Sequence, residues 1–435
     1  MTDAHRTDVS GTDASGTNST VQRAPAVTAA RTGLVIVPLL GPAMVAGVAY
    51  LDPGNVAANM TAGALFGYLL VWVVVTGNVM AWLIQYLSAK LGIVTGLSLP
   101  EALGQRFRKR PARLAYWVQA ELVAMATDVA EVIGGAVALY LLFDLPLLVG
   151  GLITGTVSML LLVVQGRRGG VRLFERVITG LIVIIVVGFC AGLVIGPPDA
   201  GAAAAGLLPR FEGTESVLLA ASILGATVMP HAIYAHSALT RDRFGQVQAG
   251  AGRVTVLRAT RVDVTIALAI AGGVNVVMLL VAAANLQGVE GTDTLEGAHA
   301  ALESSLGPAV ALLFAIALLA SGLASTSVGA YAGAEIMHGL LRVRIPLLVR
   351  RAVTIAPALI ILGVGIDPTL ALVLSQVVLS FGIPFALIPL VRLTADRALM
   401  GESVNRMLTT GVAILCAALL IALNVTLLVL LALGG

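Results

Sequence analysis

The side chains best suited to bind a metal ion lie in two apolar stretches of the sequence, one around Asp52 and the other around Met229. Asp52 offers an anionic carboxylate oxygen, Asn55 a neutral amide oxygen and Met229 a soft thioether. Unwound backbone near Ala49 and Ala226 could add carbonyl oxygens. Mg²⁺ and Ca²⁺ prefer shells made only of oxygen, whereas a thioether favours softer transition metals. The mixture predicts a divalent transition-metal site, with a flexible core filler as the alternative role for the methionine.

Both stretches contain residues that interrupt an α-helix. Pro53 removes a backbone donor and Gly54 relaxes the helix, within an apolar run from about residue 34 to 70. Pro230 interrupts the second stretch directly after Met229. A single intramembrane proline is usually a tolerated kink. Two interruptions flanked by polar or sulfur-bearing residues instead predict backbone that lines a cavity, because lipid does not tolerate unpaired backbone groups.

Two histidines follow the second interruption. His231 comes directly after Pro230, and His236 lies five residues further along the same half-helix. Imidazole titrates near physiological pH and can therefore accept a proton at such a site. We expect His231 to act in proton transfer, with metal ligation or a core position as alternatives. We expect His236 to be a hydrogen-bonded core residue.

Three carboxylates lie in one otherwise apolar segment, at Glu121, Asp128 and Glu131. At about 100° per residue, their spacing places all three on one face of a helix. Stacked carboxylates at membrane depth predict a proton relay. The alternative is static pairing with Arg350 or Arg351, and a relay also needs such counter-charges.

The composition indicates a polytopic helical membrane protein. Of 435 residues, 58% are hydrophobic and 11% charged, and the mean hydropathy is +0.98. Cys190 and Cys416 form no CxxC pair and are expected to be buried packing residues. No His-Glu-x-x-His stretch of a zinc protease occurs. We therefore expect no nucleic-acid partner, no enzymatic activity and no cofactor.

Hydropathy predicts eleven membrane spans inside one transporter domain, residues 32–433, after a disordered cytoplasmic tail, residues 1–31. The spans are 34–66, 67–89, 113–142, 145–165, 173–196, 215–239, 262–287, 306–338, 346–366, 368–391 and 407–433. The interruptions fall in spans one and six. An offset of five spans places their halves in opposite orientations, which an inverted repeat of five plus five helices requires. The repeats would cover residues 34–196 and 215–391, with one additional helix at 407–433.

The distribution of basic residues predicts the orientation. With a cytoplasmic N-terminus, only Arg210 of the 26 Lys and Arg residues falls in an outer loop. Eleven spans then place the C-terminus outside. No feature of the sequence sets the oligomeric state, and a monomer is the expectation.

Four motifs resemble those of the Nramp family of divalent-metal transporters. They are Asp52-Pro53-Gly54-Asn55, Met229-Pro230-His231, Asp128-Val129-Ala130-Glu131-Val132-Ile133-Gly134 and Ser375-Gln376-Val377-Val378-Leu379-Ser380. Span eight departs from the family pattern, because Leu323 and Ala324 stand where many relatives have Gln and Ser. A polar role at those two positions is therefore not expected.

The resemblance implies a LeuT-type fold and proton-linked uptake of Mn²⁺ and Fe²⁺ across the plasma membrane. It implies metal binding by Asp52, Asn55, Met229 and the Ala226 carbonyl, with Ala49 and Gln376 contributing in particular conformations. On the residues alone, Gln376 would more often join helices through hydrogen bonds. The positions that match proton movement are His231, Glu121, Asp128, Glu131 and Arg351, and Asp52 is expected to release a proton when metal arrives.

Two other transporter functions remain open on the sequence. A sodium-coupled symporter of amino acids or other organic solutes would use the same broken helices, but Asp52 and a sulfur ligand argue against it. A Mg²⁺ carrier is a closer alternative, weakened by Met229.

Overall fold

The structure, a computed structural model, describes residues 41–165, 170–342 and 346–433. Across these residues the chain forms α-helices joined by short turns, and it forms no strand. The predicted tail, residues 1–31, lies outside the described residues. The helices are α1 (Pro42–Gly47), α2 (Pro53–Phe66), α3 (Val71–Thr95), α4 (Leu99–Arg106), α5 (Arg110–Phe143), α6 (Leu147–Gln165), α7 (Gly170–Ile195), α8 (Ala200–Ala205), α9 (Gly213–Thr227), α10 (Pro230–Phe244), α11 (Ala251–Asn285), α12 (Leu295–Leu306), α13 (Pro308–Leu341), α14 (Leu347–Val364), α15 (Pro368–Thr394), α16 (Arg397–Met400) and α17 (Met407–Ala432).

These helices confirm the predicted all-α membrane fold with eleven spans. In the described part of the chain, eight segments have the length and apolar composition needed to cross a bilayer, the pair α9–α10 counting as one. The other three predicted spans correspond to the pair α1–α2, to α6 and to α14. The short helices α4, α8, α12 and α16 lie between spans.

The first interruption lies at Asp52. After α1 the chain makes a 3-10 turn, Val48–Leu51, and the backbone is extended at Asp52, with φ −71° and ψ 161°. Pro53 then occupies the first helical position of α2, where no backbone donor is needed. Gly54 follows Pro53 in the first turn of α2, so the interruption directly precedes the two residues that were predicted to cause it.

The second interruption lies at Val228 and Met229, between α9 and α10. Pro230 is the first residue of α10, as Pro53 is of α2. The helices that carry the interruptions are enclosed by longer ones: α2 packs on α11, α10 on α3, and α9 on α15. Helix α13 packs against α5 and α7 and covers the 3-10 turn of the first interruption. Both interruptions are therefore buried in protein, which is the condition under which a membrane tolerates them.

Helices α9 and α15 approach closely at Gly225. A Cβ atom there would overlap the backbone carbonyl of Gln376 and lie 2.9 Å from the Ser380 nitrogen. We expect Gly225→Ala to lower the free energy of unfolding by about 1–3 kcal/mol, because backbone cannot move aside as a side chain can. Thermal unfolding of the purified protein measures this. Gly273→Ala is the matched control, since its Cβ would meet no atom within 4 Å. Equal stability of the two variants would contradict the expectation.

The outer faces of the helices are apolar, as lipid contact requires. Val79, Leu122 and Ile360 are exposed although each lies within a long apolar helix. Cys416 is buried as predicted, but Cys190 is only partly buried. The difference arises because Cys190 lies on α7, a peripheral helix that also exposes Val183 and Val187.

Candidate functional site

The two interruptions contact each other through Asn55 and Ala226, and Gln376 of α15 joins the first interruption at Asp52. Asp52 caps α2, and its Oδ1 accepts a hydrogen bond from the backbone N–H of Asn55 at 2.8 Å. Its Oδ2 accepts from Gln376 Nε2 of α15 at 3.3 Å. Asn55 Nδ2 donates to the carbonyl oxygen of Ala226, near the end of α9, at 3.3 Å. Four of the predicted metal ligands therefore form one chain of contacts, and all four residues are fully buried.

Met229 and Ala49 lie at the interruptions without a hydrogen bond to this chain of contacts among the described residues. Met229 is fully buried at the N-cap of α10, where its side chain caps no backbone group. Helices favour Ser, Thr, Asp or Asn at that position, so a methionine there departs from the local rule. Such departures are expected at functional sites. Ala49 lies in the 3-10 turn, and its side chain is also fully buried.

Side chains that the sequence analysis missed satisfy the unwound backbone of the first interruption. The carbonyl of Tyr50 accepts hydrogen bonds from Asn55 Nδ2 at 2.6 Å and from Asn275 Nδ2 at 3.1 Å. The carbonyl of Leu51 accepts one from Ser321 Oγ. Isolated polar residues in apolar spans were the available signal for Asn275 and Ser321. Their partners lie more than 200 residues away in the chain and could not be inferred from spacing.

The amide of Asn55 presents its nitrogen, not its oxygen, to Ala226. Its Oδ1 accepts instead from Asn59 Nδ2 at 2.8 Å, and Asn59 Oδ1 has no hydrogen-bond partner. If both amides turned over, Asn55 and Asn59 would keep one hydrogen bond between them. The Asn55 oxygen would then face the second interruption, and the Ala226 carbonyl would be released.

Three side chains that bond Asp52, Asn55 or the Tyr50 carbonyl each have a buried oxygen with no hydrogen-bond donor within the described protein. They are Gln376 Oε1, Asn59 Oδ1 and Asn275 Oδ1. Buried polar atoms are nearly always paired, so unpaired acceptors at the interruption that carries the Asp52 carboxylate favour a cation. In the described residues no three His, Cys, Asp or Glu side chains converge. The donor set is therefore mixed, with one carboxylate, amide and carbonyl oxygens and a thioether.

Gly54 makes room for the amide of Gln376. A Cβ atom at Gly54 would overlap Gln376 Nε2 and lie 2.9 Å from Gln376 Cγ. The glycine therefore serves close packing of α15 on α2 at the site.

The three carboxylates of α5 share one face, as predicted, and they pair with the two arginines of α14. Glu121 Oε1 accepts from Arg350 Nη2 at 2.8 Å. Asp128 Oδ1 accepts from Arg351 Nη1, and Glu131 Oε2 accepts from Arg351 Nη2 at 3.2 Å. Both arginines are buried. Each carboxylate keeps one oxygen without a partner among the described residues, so the static pairing leaves acceptors for protons.

Neutral hydroxyl groups complete this network, and the sequence analysis did not identify them. Arg351 also donates to Ser158 Oγ at 3.2 Å and to Thr326 Oγ1 at 3.4 Å. Thr326 lies on α13, close to the apolar positions Leu323 and Ala324. The polar contacts of α13 near this point therefore come from Ser321, which precedes the two apolar positions, and from Thr326, which follows them.

His231 lies beside the carboxylates of α5. Its Nδ1 is 3.1 Å from Oγ1 of Thr127, the residue directly before Asp128, and its Nε2 has no partner in the described protein. His236 instead bonds to Gln85 Oε1 at 2.8 Å, and Gln85 Nε2 donates to the Tyr50 hydroxyl at 2.5 Å. The structure thus places His231 between the interruption and the carboxylates. It also confirms that His236 is a hydrogen-bonded core residue.

A family model described as natural resistance-associated macrophage protein-like (Nramp) matches residues 43–430. The divalent metal cation transporter MntH of Mycobacterium tuberculosis H37Rv is 62% identical over 389 residues, which cover 89% of this chain and 90% of that protein. The protein of the same name from Bacillus subtilis 168 is 49% identical over 400 residues, covering 91% and 92%.

Solved structures agree with this match. The crystal structure of the Eremococcus coleocola manganese transporter with an aromatic bis-isothiourea substituted compound has a TM-score of 0.81 and 31% identity, covering 91% of this chain and 87% of that one. The transporter MhsT, solved with L-phenylalanine, has a TM-score of 0.53 at 14% identity over 90% of this chain and 97% of that one, which supports the LeuT-type fold alone. The chain belongs to the Nramp family.

Proposed function

We propose that this chain is a secondary transporter that imports Mn²⁺, with Fe²⁺ as a second substrate, across the plasma membrane together with protons. The observation that carries the proposal is the contact between the two helix interruptions at Asp52, Asn55 and Ala226. The names of the relatives support the substrate class, since they are a divalent metal cation transporter and a manganese transporter.

In this proposal the transported ion binds between the interruptions. Asp52 supplies the anionic oxygen, Asn55 and Gln376 supply amide oxygens, and Met229 supplies the thioether. The carbonyls of Ala226 and Ala49 lie at the ends of half-helices, where the negative end of the helix dipole favours a cation. Because the site residues are fully buried, the described arrangement is closed to solvent, and import requires it to open on each side in turn.

The membrane potential alone favours accumulation of the ion. A divalent cation gains about 4.6 kcal/mol when a membrane potential of 100 mV, inside negative, draws it inward. The proton route would begin at Asp52 when metal arrives and continue through His231 to Glu131, Asp128 and Glu121. Arg351 would hold the two deeper carboxylates in place and keep them titratable.

Proteoliposomes containing the purified protein provide the test. We expect Mn²⁺ uptake accompanied by acidification of the lumen, and competition by Fe²⁺. Unlabelled amino acids that compete while metals do not would instead support a sodium-coupled organic-solute symporter. Equal competition by Mg²⁺ and Mn²⁺ would support a Mg²⁺ carrier.

Met229→Ala is expected to reduce the preference for Mn²⁺ over Ca²⁺ about tenfold, or ~1.4 kcal/mol. The reason is that an all-oxygen shell no longer disfavours the harder ion. Competition of Ca²⁺ against Mn²⁺ uptake measures the change. Met278→Ala is the matched control, because Met278 is equally buried but lines an apolar cavity with Phe189 and Phe314. If Met229→Ala had the same selectivity as the unmodified chain, the thioether of Met229 would not be a metal ligand.

The proposed orientation has a cytoplasmic N-terminus and an external C-terminus, and the proposed functional unit is the monomer. The cluster in which Arg241 pairs with Glu101 at 2.6 Å and with Glu335 at 3.0 Å would then close the cytoplasmic end. Protease access to a tag at each end of the chain, in intact cells, distinguishes this orientation from the reverse.

A further inference from the structure

A basic cavity lies away from the metal site, between α3, α11 and the turn that precedes α17. It encloses about 430 Å³. Four cationic side chains line it, against one carboxylate from Glu402: Lys90, Arg258, Arg261 and Arg406. The lining thus carries a formal charge of +3. Among the described residues, none of the four cations has a carboxylate within 4.0 Å.

Lys90 is the most informative of these cations because it is 6% exposed. Its ammonium group donates to Asn405 Oδ1 at 2.5 Å, and this is its one hydrogen bond among the described residues. A buried ammonium group is costly unless an anion and further acceptors satisfy it. Asn405 is itself held by Thr394, to whose Oγ1 it donates at 2.8 Å, so the cavity wall is preformed. The arrangement calls for an anionic ligand with several acceptor oxygens.

On the other side of the cavity, Arg261 packs against the aromatic ring of Tyr86. The guanidinium carbon of Arg261 lies 5.0 Å from the centre of the Tyr86 ring, and its Nη2 is 3.4 Å from the Tyr86 hydroxyl. Tyr86 stacks on Trp82, with ring centres 6.4 Å apart. Tyrosine and tryptophan concentrate where lipid headgroups meet hydrocarbon, which indicates that this end of α3 lies at the membrane interface.

Exposed apolar side chains border the cavity. Met407 and Leu408, the first residues of α17, are 93% and 79% exposed, and Val254 is exposed on the cavity wall itself. Helix α17 also begins there without a side-chain cap, so its first backbone N–H groups are available. The site therefore combines hydrogen-bond donors for an anion with an apolar border. A soluble inorganic anion has no apolar part that could contact this border, whereas a lipid does.

We propose that this cavity binds the phosphate-bearing headgroup of an anionic phospholipid, whose acyl chains lie against the exposed start of α17. Lys90, Arg258, Arg261 and Arg406 supply the donors to the phosphate. Basic pockets between membrane helices are the usual sites for such headgroups. The assignment does not depend on the ion that is transported or on its coupling to protons.

The test is native mass spectrometry of the purified full chain with added phosphatidylglycerol, phosphatidylcholine or inorganic phosphate. In Arg258→Gln/Arg261→Gln, we expect retention of phosphatidylglycerol to fall about tenfold or more, since each cation near the surface contributes to the attraction. Retention of phosphatidylcholine should not change. Both arginines are exposed, so the variant is expected to fold.

Arg108→Gln/Arg110→Gln is the matched control, because it removes the same charge from exposed positions outside the cavity. It should retain phosphatidylglycerol as the unmodified chain does. A second variant, Lys90→Gln, can still donate to Asn405 but removes the buried charge, and it should also weaken retention. Retention that is equal in the cavity variant and the control would overturn the proposal. Displacement of phosphatidylglycerol by an equal concentration of inorganic phosphate would also overturn it and would assign the cavity to a soluble anion.

Discussion

Replacing Asp52 with asparagine is expected to lower Mn²⁺ uptake at subsaturating concentration about 100-fold or more, or ~2.8 kcal/mol. The change removes the one carboxylate at the proposed site while keeping its shape. Asparagine caps a helix about as well as aspartate, so α2 should remain intact. Removing a fully buried charge should leave the protein equally stable or more stable. Uptake into proteoliposomes and thermal unfolding, measured on the same preparation, separate the two effects.

Asp263→Asn is the matched control for this prediction. Asp263, on α11, is also buried, and its Oδ2 accepts from the backbone N–H groups of Gly41 and Ala43 at the start of α1, at 3.0 and 2.9 Å. Its carboxylate therefore caps α1, whereas that of Asp52 caps α2. We expect uptake to change much less in this variant. If Asp52→Asn transported Mn²⁺ as well as Asp263→Asn did, Asp52 would not be a metal ligand.

The spans and the two interruptions could be predicted from the sequence because lipid imposes them. Every backbone group at membrane depth must be paired, so a run of apolar residues has to be helical, and residues such as Pro53 and Pro230 show where the helix fails. From the sequence, the first helix interruption could be located only to the tetrapeptide 52–55, whereas the structure places it at Asp52. Proline is favoured at the first position of a helix, so α2 begins at Pro53 and Gly54 is its second residue.

The partners within the site could be predicted only in part. Carboxylate spacing on α5 depends on helix geometry alone, and the shared face was therefore predicted correctly. Which arginine meets which carboxylate depends on the register between α5 and α14, more than 200 residues apart in sequence, and no local pattern fixes it. The same holds for the hydrogen bond from Asn275 to the carbonyl of Tyr50, because it depends on how α11 packs on the first interruption.

Removing Arg351 is expected to give the largest loss of stability. Its side chain is 1% exposed and bonds Asp128 and Glu131, which are equally buried. In Arg351→Met both carboxylates lose their buried counter-charge, which costs about 3–5 kcal/mol. Arg350→Met is the matched control. It should cost less, because its partner Glu121 is 13% exposed and water can reach it. Thermal unfolding of the purified variants measures the difference.

The triple variant Arg351→Met/Asp128→Asn/Glu131→Gln separates stability from proton transfer. It removes every charge of this cluster at once, so it should recover most of the stability lost in Arg351→Met. A triple variant as unstable as the single one would show that the carboxylates stabilise the fold by hydrogen bonding and not through their charge. The metal ligands proposed above are unchanged in it. If the carboxylates of α5 carry the proton, the triple variant should still take up Mn²⁺ under a membrane potential but without luminal acidification, because the ion needs only the potential and the proton needs a titratable route.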